Sequence, residues 1–270
     1  MNISSVANLY GSPAQSKTPS SSTGAEEQGA ESTSGRKGDV QDIVDLSPKA
    51  QAVQSFSVGS GYDSTGKSMD QILQDMRKMM DVRIQDAGIE TTSELDAKGA
   101  DAFLGDITDR RALYAIYSDK SGTFTKDERN VAYHTMWQMK EKAVHGSNMS
   151  WIDKAKAEID FAEQASPEEK ATMGWVKRRA TAQILYEKAK LDGNIPFDPT
   201  SRYDTINTGD STIDGLIRRL VDEAMDNHFR PIDQLVALED SKAFKDVENR
   251  FESLLSSGHA FSFKDYQPDA

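Results

Sequence analysis

From Ser68 to Leu255 apolar side chains recur every three or four residues. Nowhere do they form the near-continuous run of Val, Ile and Leu that a buried parallel strand requires. The period predicts an all-α, bundle-like domain of six to eight helices after a disordered N-terminal region. The first stripe is Met69, Ile72, Leu73, Met76 and Met80, capped by Ser68 with Gln71 at the capping-box position. A second helix is expected from Leu104 to Tyr117. A third runs from about Lys126 to Val144, with Ala132, Met136, Met139 and Ala143 on one side, and stops at Gly146. A fourth carries Ile152, Ala155, Ile159 and Ala162. The fifth opens on Ser166-Pro167-Glu168-Glu169 and runs unbroken to Leu191. After a two-proline break at 192–210, Ile213, Leu216, Ile217, Leu220, Val221 and Ala224 form an amphipathic helix. Pro231 interrupts it, Ile232, Leu235 and Val236 make a short piece, and a last helix with Phe244, Val247, Phe251, Leu254 and Leu255 ends near Gly258. The domain reading is 1–66 disordered, 67–260 helical with a subdivision point near 192–210, and 261–270 tail.

Charge and composition narrow the function classes. The net charge is −12. In residues 1–38, Lys17, Arg36 and Lys37 cancel Glu26, Glu27 and Glu31, so the excess sits on the body. An acidic body repels nucleic-acid phosphate and anionic lipid, and no apolar run reaches membrane-spanning length, so neither nucleic acid nor membrane insertion is expected. With no cysteine, thiolate metal sites and cysteine nucleophiles are excluded.

The first residues lack a basic segment followed by an apolar one, which argues against a Sec signal. They are rich in Ser, Thr, Gly and Ala, with Ile at position 3 and no acid before Glu26. This bias resembles the unfolded export signals of type III secreted effectors, especially those of plant-associated bacteria, and those of flagellar export substrates. It implies a bacterial protein secreted by a Sec-independent route, the alternative being a cytoplasmic one. Asp42 to Val53 resembles a short V-x-L-S-x-x-A segment found in bacterial proteins with disordered N-termini, flagellar anti-sigma factors included; Ser47 and Pro48 also suit a local helix start.

Two loops carry recognisable spellings. Gly61 to Ser68 matches the phosphate-loop pattern, with Gly61, Gly66, Lys67 and Ser68 as the candidate nucleotide-binding residues. A working cradle needs a buried strand to deliver the chain to the glycines, and Gln51 to Val58 is mostly polar. A Gly/Ser linker that places Gly-Lys-Ser at a helix start is the competing reading.

Residues 117–128 resemble an EF-hand calcium loop: Gly122 stands sixth, Phe124 eighth and Glu128 twelfth. The resemblance implies calcium as cofactor and Asp119, Ser121, Thr123, Thr125 and Glu128 as ligands. Tyr117 at the first position and the cations Lys120 and Lys126 depart from it. The best sister loop, around Asp192-Gly193-Asn194-Ile195, has Lys188 first and Pro199 twelfth. Alternatively, Thr125 to Glu128 is a capping box that starts the third helix, and no cofactor is present.

Other chemistry is sparse. His134 and His145 lie about 16 Å apart along one helix, too far to share a metal, and His228 and His259 have no partner in sequence. Neither H-E-x-x-H nor G-x-S-x-G occurs. Trp137, Trp151 and Trp175 read as core residues, and Lys177-Arg178-Arg179 as a solvated face. The resulting expectation is a non-enzymatic protein-interaction protein, effector-like and exported, with a calcium-responsive module and a nucleotide binder as alternatives.

Overall fold

A computed structural model of the chain describes residues 61–86, 88, 104, 107–145, 149–229 and 236–265. The expectations for residues 1–60, for Gly146 and for Pro231, Ile232 and Leu235 lie outside the described residues. Among the described residues there is no strand; eight α-helices and one 3-10 turn follow one another, so the fold is all-α.

Helices α1 (Met69–Asp86), α2 (Arg110–Tyr117) and α3 (Lys126–Val144) surround a first core. Ser68 caps α1 through the expected box: its hydroxyl accepts from the Gln71 amide at 3.2 Å, and its amide donates to Gln71 Oε1 at 2.9 Å. The methionine stripe is core. Ile72, Met76 and Met80 are fully buried against Leu113 and Ile116, at roughly 1.5–3 kcal/mol of transfer energy per side chain. Helix α2 starts at Arg110 rather than Leu104, because Asp109 is the cap and accepts from Ala112 N.

Helices α4 (Trp151–Glu163), α5 (Pro167–Lys170), α6 (Met173–Gly193), α7 (Ser211–His228) and α8 (Lys242–Ser256) build the remainder around a second core, with the 3-10 turn Leu238–Asp240 ahead of α8. The unbroken fifth helix is in fact two. The turn begun by Ser166 closes at Ala171, where Thr172 Oγ1 donates to Glu169 O and accepts from Trp175 N, capping a new helix. Asn194 at φ 51° ends α6, its left-handed backbone letting Ile195 N reach Lys190 O.

Packing runs in chain order: α1 on α2, α2 on α3, α3 on α4, α4 on α6, α6 on α7 and α7 on α8. Ion pairs lock the α2–α5 contact. Arg110 takes both oxygens of Glu169, at 2.8 and 2.9 Å, and Arg111 holds Glu168 at 2.6 Å. Glu169 also accepts from Arg178 at 2.7 Å, while Arg179, only 1% exposed, pairs with Glu163 at 2.7 Å and Gln183 at 2.9 Å. Of the 177–179 charge run only Arg179 is internal; Lys177 and Arg178 stay partly solvated while pairing with Glu239 and Glu169.

The segment read as a tail is partly packed. Phe261 stacks on Phe251, and Phe263 meets Trp175 edge to face at 5.7 Å. Lys264 N donates to Thr208 O and Ser262 N to Asp210 Oδ2, so residues 261–264 form a strap over the loop before α7. Gly209 makes room for it: φ is +97°, and a Cβ there would sit 2.4 Å from Lys264 N.

Candidate functional site

The phosphate-loop residues come together at the start of α1, where Asp109 holds them from the α2 cap. Ser64 donates its amide to Asp109 Oδ2 at 2.6 Å and its hydroxyl to Oδ1 at 3.0 Å, while its carbonyl accepts from Arg111 at 2.8 Å. The Thr65 amide turns to Asp63, and the Lys67 amide to Ser64 O. Lys67 Nζ pairs with Asp75 at 2.9 Å, which is the main cause raising the lysine's pKa. Gly66 takes φ +72° in the turn, Gly61 lies at the start of the loop, and Ser68 is engaged as the helix cap. Amides and a lysine that would face an anion are here turned to carboxylates and a carbonyl.

In the 117–128 loop, Gly122 turns at φ +82° and Phe124 is buried in the first core. Asp119 is 3% exposed. Its Oδ1 accepts from the Ser121 amide and hydroxyl at 2.8 and 2.6 Å, and its Oδ2 from the Phe124 amide at 2.9 Å. Burial pushes this carboxyl up, but those bonds and Arg129 outweigh it and hold its pKa below the usual aspartate range. Ser121 Oγ lies 2.7 Å from Thr123 Oγ1, so Asp119, Ser121 and Thr123 converge.

Thr125 and Glu128 instead form the capping box of α3: Glu128 Oε2 accepts from Thr125 N at 2.7 Å, and Thr125 Oγ1 from Glu128 N at 3.3 Å. Glu128 is fully buried, and its Oε1 meets Arg77 Nη1 of α1 at 2.8 Å. Arg77 also lies over the Phe124 ring, 5.1 Å from its centroid. The carboxylate that would close a cation site is thus engaged by a guanidinium. Among the described residues, no three His, Asp or Glu side chains gather as metal ligands.

A cleft of about 260 Å³ lies between α4, α6 and the strap. Four of its charged side chains pair with one another, Arg179 with Glu163 and Arg202 with Asp160 at 3.0 Å; Lys264 and Asp265 line it as well. Of the histidines, His134 and His228 are exposed, His145 pairs with Glu141 at 2.9 Å, and His259 stands 3.7 Å from Asp210.

Solvent-facing rings are the feature the sequence reading missed. Trp175 is buried as expected, but Trp137 is 43% and Trp151 65% exposed, so neither is a core residue. Tyr117 and Tyr133 are 43% and 41% exposed and stand 5.5 Å apart, with Tyr114 6.4 Å from Tyr117 and His134 5.7 Å from Tyr133. Trp137 follows Tyr133 by one turn, so the C-terminus of α2 and the middle of α3 display a run of rings. The signal was present: Tyr133 and Trp137 are each one residue past the Ala132 and Met136 stripe, where a helix turns to solvent. Compared with known protein families, curated proteins and solved structures, the chain matches none of them.

Proposed function

We propose that this chain is a non-enzymatic protein-interaction protein that docks a partner protein on the exposed rings of α2 and α3. One observation carries the reading: Tyr117 and Tyr133 stand 5.5 Å apart and Trp137 follows Tyr133 by one helical turn, each more than two-fifths exposed. Tyr and Trp dominate the energetic centres of protein interfaces because they bury large area with few rotors. A small-molecule site calls for an apolar concavity with a few convergent polar groups. The cleft beside the strap is lined mainly by charged and polar side chains instead.

The composition of the first 25 residues and the lack of cysteine favour delivery of this module by a type III apparatus. The docking test places the photo-crosslinking residue benzoylphenylalanine at position 133 and, as control, at exposed Glu248 on α8. The expected result is a discrete crosslinked partner from position 133 alone; equal labelling from both positions overturns the reading. For delivery, residues 1–30 fused to a reporter should enter the medium only when the apparatus is intact.

A further inference from the structure

The ring array has two exposed lysines at its end, Lys120 and Lys126, and we infer that its partner is an acidic protein segment carrying an aromatic or leucine anchor. This rests on the docking reading above. By the helical period, Lys126, Arg129, Tyr133 and Trp137 lie along one strip of α3. Residues 117–145 hold five cations against four acids in a chain of −12, and Lys140 is answered by Glu158 of α4 at 3.2 Å.

Burial sharpens the contrast. Asp119 and Glu128 are buried, Asp119 bonded within its loop and Glu128 to Arg77, while Lys120 and Lys126 are exposed. Arg129 directs Nη1 to the Asp119 carbonyl at 2.8 Å, and its charge acts on the buried Asp119 carboxylate as well. On α3 itself, Asp127, partly exposed, is the one acid of the first turn that is not buried; exposed Asp81 of α1 is held by Arg77 at 2.7 Å. The amino end of α3 adds the positive pole of its helix dipole. A partner segment that seats its anchor on Tyr133 and Trp137 sets its acids opposite Lys120 and Lys126. Basic segments are repelled there and attracted to the acidic remainder of the chain.

The test selects a displayed library of random 16-residue peptides against the full chain, then measures fluorescein-labelled winners by anisotropy. The expected winners carry net negative charge with a Trp, Phe or Leu anchor. They lose at least tenfold in affinity to Trp137→Ala, recover most of it with Trp137→Phe, and weaken against Lys126→Glu. Winners that need Trp137 but are neutral or basic overturn the partner class and leave the docking face standing. Winners indifferent to Trp137→Ala, or no winners, overturn both. Self-association of the parent that Trp137→Ala abolishes makes a second copy the occupant and overturns the acidic partner. Circular dichroism identical to the parent establishes that each variant is folded.

Discussion

Replacing Arg77 with methionine removes the guanidinium from a carboxylate that has no access to water. Glu128 is fully buried, and its two oxygens have Arg77 at 2.8 Å and the Thr125 amide at 2.7 Å. Without Arg77, one amide remains to hold a buried charge. Breaking a buried pair from one side costs about 3–5 kcal/mol; Arg77 is 23% exposed and admits some water, so about 2–4 kcal/mol is expected here. For a folded body of this size that lowers Tm by about 5–15 °C. The assay is urea unfolding at pH 7 followed by far-UV circular dichroism, on the parent, Arg77→Met, Glu128→Gln and the double variant. Glutamine keeps a carbonyl acceptor for the Thr125 amide while removing the charge, so the double variant should recover more than 1 kcal/mol relative to additivity, about the coupling of a contacting pair. Calcium at millimolar concentration should leave the parent's midpoint unchanged, because Glu128 is already engaged. A loss below about 0.5 kcal/mol in Arg77→Met, the size of a neutral surface change, refutes the reasoning, as does strict additivity.

Three further outcomes follow from the geometry. Gly209→Ala should displace the strap, since the new Cβ would meet Lys264 N at 2.4 Å on a backbone at φ +97°; a loss of at least about 1–2 kcal/mol and faster tryptic cutting at Lys264 are expected, and an unchanged digest refutes it. Hydrogen bonds and cations, working against burial, hold Asp119, Asp204 and Asp210 below their ordinary value of 3.8, so their contribution is complete above that value and fades as pH falls below it. Urea midpoints should therefore drop between pH 4 and pH 2, with Asp204→Asn flattening the drop. Acrylamide should quench Trp137 and Trp151 but spare Trp175, whose indole donates to Ala162 O inside the core; Trp175→Phe should leave the quenchable emission intact.

Local features were the legible ones. The Thr125–Glu128 box, the Ile213 to Ala224 face and the α1 methionines each depend on residues within a few turns, and the structure has them as read. What escaped depends on partners distant in sequence. Arg77 and Glu128 are 51 residues apart, so nothing near Glu128 revealed that its charge was already matched. Arg179 looked solvated until Glu163, 16 residues back, was brought beside it. Phe261 and Phe263 alternate at the chain's end, and only the fold supplies Phe251 and Trp175 beneath them. Trp137 is a different case: its ring type suggests core, although its position puts it off the apolar stripe.

The stacking of successive helices, each on the next along the chain, has a mechanical meaning. Most stabilising neighbours are close in sequence, so little loop entropy is lost in bringing them together, and such topologies fold rapidly. Two links cross that order: Arg110 and Arg111 tie α2 to Glu169 and Glu168 of α5, so traction on the amino end would have to release α2 and α5 together.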